Sequence, residues 1–190
     1  RVTGHGLDHV MIDNVAAARL ATGHLIGLGR RRIAAIGDQP EETRQTARLR
    51  TQGYREALSA NNIPLDERLV RPTAYFHRAD GAAAMAALLA LPEPPDAVFC
   101  YNDLLALGAL REMLRRGVRV PEDVALVGFD DIEDGRYATP SLSTISPDKA
   151  QIARYAVDLL LRRLDGDDSP AVEISADYQL MVRESTAGRR

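Results

Sequence analysis

Two adjacent carboxylates, Asp130 and Asp131, close an almost unbroken apolar run from Val124 to Phe129. Such a pair invites an acid–base reading, but neighbouring residues on a strand point to opposite faces. Carboxylates that accept hydrogen bonds from the hydroxyls of a ligand account for the pair more simply. Asn102-Asp103 stands in the same relation to the run Ala97 to Tyr101, and further polar clusters fall at Arg44–Arg50 and Tyr75–Arg78. Other chemistry is missing. His5, His9, His24 and His77 do not pair at metal-ligand spacing with cysteine or with each other. Cys100 lies inside an apolar run without a nucleophile's local signature, so it reads as a small buried hydrophobe. No GxGxxG follows a strand, and there is no GxxxxGK[ST] or GxSxG. The chain is therefore expected to be a binding protein, not an enzyme, and to need no metal or cofactor.

The elements that would position these clusters alternate. Val10 to Ile12, Ile33 to Ile36, Leu69-Val70, Ala97 to Tyr101 and Val124 to Phe129 read as short strands, several apolar throughout, the pattern of strands covered on both faces. Between them lie helical patterns over Val15–Leu28, Arg48–Asn61, Gly81–Leu91 and Leu104–Arg116. Asp13 or Asn14 is suited to cap the first helix and Asp103 the fourth, while Gly29 and Gly117 suit helix ends. Strands alternating with helices argue for an α/β fold with a doubly wound parallel sheet. Right-handed crossovers then bring all strand carboxyl ends to one edge, so the four polar clusters should converge there.

After Asp131 the pattern changes. Leu142 to Ile145 reads as a strand, and Asp148 caps a long amphipathic helix, Lys149 to Leu164, whose wide apolar face has few later elements to cover it. Val172 to Ile174 and Tyr178 to Val182 alternate like the arms of a hairpin. The arginines Arg30 to Arg32 complement a helix dipole better than they form a phosphate or nucleic-acid patch. At 190 residues, 45% apolar and 27% charged, with a formal net charge of −3, the chain has the profile of a globular protein without a global basic field. Its first residues lack the basic-then-apolar layout of a signal peptide and no apolar run is long enough to span a membrane, so a cytoplasmic location and no membrane partner are expected.

An ordered set of motifs resembles the LacI/GalR family of bacterial transcriptional regulators. They are V-x-I-D-N from Val10, H-L-x-x-L-G-R-R-R-I from His24, R-L-R-x-x-G-Y from Arg48, D-A-V-F-C-x-N-D from Asp96, G-x-x-V-P-E-D-V-A-L-V-G-F-D-D from Gly117, P-x-L-S-T-I from Pro140 and L-x-x-R-E-S-T from Leu180. The likeness runs from about Val10 to Thr186. It implies the effector-binding core of such a regulator, a two-lobe architecture of the type I periplasmic-binding-protein kind with its N-terminal lobe incomplete. Residues 1–13 and 142–168 would belong to that N-terminal lobe, and 14–141 with 169–190 to the C-terminal lobe. The helix-turn-helix that binds operator DNA is not in this stretch, so operator DNA would be a partner only through it, and this polypeptide should not bind DNA specifically by itself. The resemblance further implies a homodimer and a small polar effector, a sugar or a nucleobase-like molecule.

Carried over by position, the family's ligand contacts would be Arg50, gripping ligand hydroxyls or a carboxylate; Arg44 and Thr46, setting specificity; Phe76, packing on a ring face, with Tyr75 as the alternative; Asn102, a polar contact; and Asp130, accepting from ligand donors. Asp131 would serve structure. Arg30 stands where the family usually has histidine, and SLST replaces the commoner leucine-threonine-threonine. An exported solute-binding protein of a sugar transporter is the alternative, disfavoured by the V-P-E-D-V-A-L-V-G-F-D-D and R-E-S-T-A-G stretches.

Overall fold

The computed structural model describes residues 7–39 and 45–187. In chain order the elements are β1 (His9–Met11), α1 (Asn14–Gly27), β2 (Ile33–Asp38), α2 (Gln45–Ala60), a 3-10 turn at Glu67–Leu69, β3 (Val70–Pro72), α3 (Arg78–Leu89), β4 (Ala97–Cys100), α4 (Asp103–Arg115), β5 (Ala125–Phe129), α5 (Glu133–Arg136), β6 (Ser143–Pro147), α6 (Lys149–Leu164), β7 (Glu173–Ser175), β8 (Tyr178–Met181) and α7 (Glu184–Ala187).

Six strands form one sheet in the order β3-β2-β4-β5-β6-β8, parallel except for the last pair. β4 and β5 are buried along their whole length, as is β2 up to Asp38, which is why their sequences carry no polar alternation. The chain leaves β2 toward β3 and then returns past it to β4. The winding therefore reverses between β2 and β4, and in open α/β sheets ligands bind at the carboxyl ends of the strands beside such a reversal. A helix on each side of such a reversal covers opposite faces of the sheet; α1 packs with α2, and α3 with α4.

The helix pairs approach closely because glycine faces backbone. A Cβ on Gly108 would lie 1.9 Å from the carbonyl oxygen of Arg78, and one on Gly81 would lie 2.1 Å from that of Leu105. The ends of the helices follow local rules: Asp13 caps α1 and Asp148 caps α6 through their carboxylates, and Gly117 after α4 takes φ +74°. Arg30 and Arg31 spend their guanidinium groups on backbone carbonyls, Arg30 on Pro121 and Arg31 on Ile26 at the end of α1. Both therefore serve to tie a helix end to its neighbours.

Two sequence expectations are corrected. Residues 172–182 are not a hairpin: β7 pairs β1 in parallel, in a separate two-stranded sheet, whereas β8 runs antiparallel beside β6. Alternation marks a half-buried strand but not its partner. Residues 143–147, drawn from the sequence with 142–168 as part of the other lobe, form β6, hydrogen-bonded to β5 in the main sheet. The chain leaves that sheet only after Pro147, since the backbone ladder holds it until then. Beyond it α6 rests on β1 and carries Asp8–Arg163 as an ion pair at 2.7 Å. Its Leu159 is buried, but Val157, Leu160, Leu161 and Leu164 are exposed.

The R-E-S-T motif is a clasp. Ser185 Oγ donates to the Leu126 carbonyl (2.7 Å) and accepts from Ser143 N–H (2.8 Å), while Thr186 Oγ1 meets Ser143 Oγ (2.7 Å) and His24 Nε2 (3.0 Å). These contacts lock α7 across β5, β6 and α1.

The glycine contacts predict opposite outcomes at two helical sites. Gly108→Ala should destabilise the chain by about 1–3 kcal/mol through overpacking of α3 on α4. Gly23→Ala in α1, where an added Cβ meets nothing within 4 Å, should stabilise it by roughly 0.5–1 kcal/mol. Urea denaturation of the two variants checks both signs.

Candidate functional site

The strand ends at the reversal place a buried arginine. Arg50 projects from α2 and is only 7% exposed. Its guanidinium lies over the face of Phe129, 3.5 Å from the ring centroid. Its Nε donates to Asn14 Oδ1 (2.9 Å) and its Nη1 to the carbonyl of Tyr101 at the end of β4. Burial draws the Arg50 pKa down to about 10, opposed by the nearby negative charge of Asp130, so the group stays cationic at neutral pH.

Asp130 faces it. The Asp130 backbone has φ +110° and that of Asp131 φ +50°, values that non-glycine residues rarely adopt. Such a turn persists only if its surroundings hold it. Asp130 N–H donates to the Ile145 carbonyl at 2.8 Å. The Asp131 carboxylate accepts from Arg136 (2.7 Å), Arg183 (2.6 Å) and Ser146 (3.0 Å), and its carbonyl accepts from Lys149 Nζ (3.0 Å). Burial alone would raise the Asp131 pKa, yet these donors hold it at about 2. Asp130 differs: burial pushes its pKa up, Arg50 and Lys149 pull it back, and no hydrogen bond from a described residue shapes it. The two carboxylates are thus separated by the turn they share, beyond the last residue of β5, and not by strand alternation.

Asp103 supports that turn from below. It is fully buried and accepts from Thr144 Oγ1 (2.7 Å) and from Ile132 N–H (2.9 Å). A Cβ on Gly128 would sit 2.2 Å from its Oδ1, so glycine there makes room for the carboxylate over β5. Burial pushes the Asp103 pKa up to about 6, against the two hydrogen bonds and with the help of Asp130 and Asp131. The sequence reading made Asp103 the cap of α4; the cap is Asn102, whose Oδ1 accepts from Leu105 N–H at 2.9 Å. The other end of that amide, Nδ2, donates to the Phe76 carbonyl at 3.1 Å and ties the β3–α3 loop to the β4 end.

Arg50, Asp130 and Asn102 sit at the strand-end edge, and Asn102 is joined to Phe76. Phe76 is half-buried against the core, whereas Tyr75 is 57% exposed and stacks on His77. Thr46 is exposed on the first turn of α2. Arg44 lies outside the described residues. Three participants were missed: Asn14, read only as a possible cap; Phe129, read only as strand; and the Tyr101 carbonyl. No sequence pattern marks a residue that acts through its partner across 36 positions of chain. Chemically the site offers a cationic donor opposite a carboxylate acceptor, suited to a hydroxyl that accepts from one and donates to the other. Burial raises the Cys100 thiol pKa far above its usual range, and no group of three His, Cys, Asp or Glu among the described residues could hold a metal ion.

A periplasmic binding protein-like domain model matches residues 22–186. The chain is 39% identical over 180 residues to the HTH-type transcriptional repressor CytR of Escherichia coli K12, covering 95% of this chain and 52% of that protein. It is 40% identical over 179 residues to the HTH-type transcriptional regulator CelR of Thermobifida fusca, covering 94% and 52%. It thus spans about half the length of these curated relatives. Among solved structures, a putative LacI-family regulator of Sanguibacter keddieii superposes with a TM-score of 0.92 at 47% identity, over 99% of this chain and 70% of that one. A CelR–cellobiose complex superposes with a TM-score of 0.87 at 40% identity, over 95% and 54%. No helix among the described residues is long and apolar enough to cross a membrane.

The buried carboxylate at Asp103 has a pH signature. Its folded pKa, about 6, exceeds the ordinary 3.8, so the folded state binds more protons between these values and Asp103 costs stability as pH rises through them. The wild type should therefore lose stability relative to Asp103→Asn between pH 4 and pH 6, with little further change above pH 7. Urea denaturation of both proteins across that range measures the difference; a pH-independent gap would contradict it.

Proposed function

The chain belongs to the LacI family of transcriptional regulators, and on that footing we propose that it is the effector-binding part of one, taking a small polar molecule, a sugar or nucleobase-like compound, at the strand-end edge of its six-stranded sheet. The observation that carries this reading is the electrostatic pairing of the buried Arg50 with Asp130 at the strand-end edge where the winding reverses. Arg50 donates to ligand oxygens and Asp130 accepts from ligand donors. Phe76 supplies an apolar ring contact, Thr46 on the first turn of α2 and Arg44 before it in the sequence set specificity, and Asn102 fixes the Phe76 loop. The site binds and does not catalyse.

The two sheets correspond to two lobes. β1, α6 and β7 belong to one, incomplete here, and the six-stranded sheet with its helices to the other. Effector binding shifts the equilibrium between lobe arrangements, which requires only unequal affinity for the two. A second copy of the chain and, through a DNA-binding region of the full-length protein, operator DNA are the partners, in the cytoplasm. The cellobiose bound to CelR supports a sugar-type effector.

In the full-length protein, Arg50→Ala and Asp130→Ala should each weaken effector binding on the order of a hundredfold, as loss of one partner of a buried charged contact does. Operator binding in the absence of effector should persist. Calorimetry with sugars and nucleosides, beside an operator-shift assay, measures both; unchanged affinity in both variants would remove the assignment.

A further inference from the structure

Arg50 is the group on which the proposed site turns, and its orientation is set by a residue that no motif marks. Asn14 is the first residue of α1, where the chain passes from the two-stranded sheet to the six-stranded one. Its side chain makes two contacts. Nδ2 donates to the carbonyl of Ile12, on the β1 side of the passage, at 3.2 Å. Oδ1 accepts from Arg50 Nε at 2.9 Å. The amide orientation follows from chemistry, since a guanidinium has donors only and must be met by the oxygen.

We propose that Asn14 is a positioning residue of the effector site, which aims the Arg50 guanidinium and ties that aim to the backbone joining the two sheets. The geometry leaves few alternatives for the arginine. The Phe129 ring fixes the plane of the guanidinium, the Tyr101 carbonyl takes one Nη1 hydrogen, and Asn14 takes the Nε hydrogen. Rotation within that plane is what Asn14 prevents. Nη2 donates to no described residue and is left for a ligand. An amide is the right chemistry for the task. A carboxylate would grip Arg50 more strongly but neutralise it, and the cation would then serve Asn14 instead of the ligand. The link to Ile12 adds a second consequence. A swing of β1 about this passage displaces Oδ1 and loosens Arg50, so the arrangement of the two sheets and the readiness of the arginine change together. By linkage, a ligand that fixes Arg50 favours the arrangement that Asn14 already supports. Asn14 also borders a cavity of about 520 Å³ with Met11, Leu49, Gln52, Glu173 and Ser175, so solvent reaches it.

The inference rests on the effector reading for its functional meaning, but its physical content is tested without a ligand. In full-length protein labelled with 15N-arginine, the Arg50 Nε–H signal should exchange slowly with solvent. In Asn14→Ala, whose helix retains its Asp13 cap, exchange should quicken roughly tenfold or more, the loss expected for one hydrogen bond to a charged group. Asn14→Asp should restore slow exchange. Calorimetry with cellobiose, ribose and adenosine then reads the site: whichever binds the wild type should bind both variants roughly tenfold more weakly. That split, protection restored by aspartate without affinity, is not produced by a residue that merely stabilises the fold. Unchanged Nε–H exchange in Asn14→Ala overturns the proposal, as does unchanged affinity in both variants. Failure of every probe to bind the wild type counts against the effector reading alone, because the exchange measurement still decides whether Asn14 holds Arg50.

Discussion

A guanidinium buried to 7% exposure is expensive unless its surroundings compensate it, and much of this molecule's edge is arranged to do so. Arg50 lies on an aromatic face, donates to an amide oxygen and a backbone carbonyl, and faces a carboxylate that no described residue neutralises by hydrogen bonding. Each of those groups comes from a different segment: β5 supplies Phe129, the start of α1 supplies Asn14, the end of β4 supplies Tyr101, and the turn after β5 supplies Asp130. The arginine can be where it is only if the parallel sheet has brought those segments to one edge. Sheet order and site are therefore one constraint.

The positive φ angles at Asp130 and Asp131 are the second feature this constraint explains. A strained turn carries Asp130 within electrostatic reach of Arg50, and a framework beneath it offsets the strain. Asp131 gathers Arg136, Arg183 and Ser146, and its carbonyl gathers Lys149 at the start of α6. Asp103 joins Thr144 of β6 to the Ile132 amide after the turn. Three aspartates within one corner have three environments. One carries its negative charge among basic donors, one is pushed toward neutrality by burial, and one is left facing the arginine. The same corner is where the chain departs from the main sheet toward α6, so the site and that passage share their supports. Asn14 does the same at the earlier passage from β1.

Strand–helix alternation, the fully apolar strands, the glycine helix ends and the Asp148 cap are legible from residue order alone. So is the assembly of polar clusters at one edge, since parallel winding follows from the alternation. Residue order sets Asp130 apart from Asp131 by strand alternation, whereas the structure gives them different surroundings through the positive-φ turn they share. Partnership is not legible in the same way. Asn102 and not Asp103 caps α4, because either can cap a helix and only the position of the Ile132 amide and Thr144 hydroxyl draws Asp103 away. Residues 172–182 look like a hairpin because two half-buried strands alternate identically whether they pair each other or, as here, two different strands in two different sheets.

Burial is a property that residue types and spacing announce locally, so residue order suffices for the class of fold, the limits of the longer helices to within a few residues and the edge at which chemistry would gather. Hydrogen-bond partnership at about 3 Å is not local. It depends on which backbone and side-chain atoms the finished sheet brings within reach, and so it takes the assembled fold to keep β6 with β5, to clasp the R-E-S-T ending on Ser143 and His24, and to set Asn14 against Arg50.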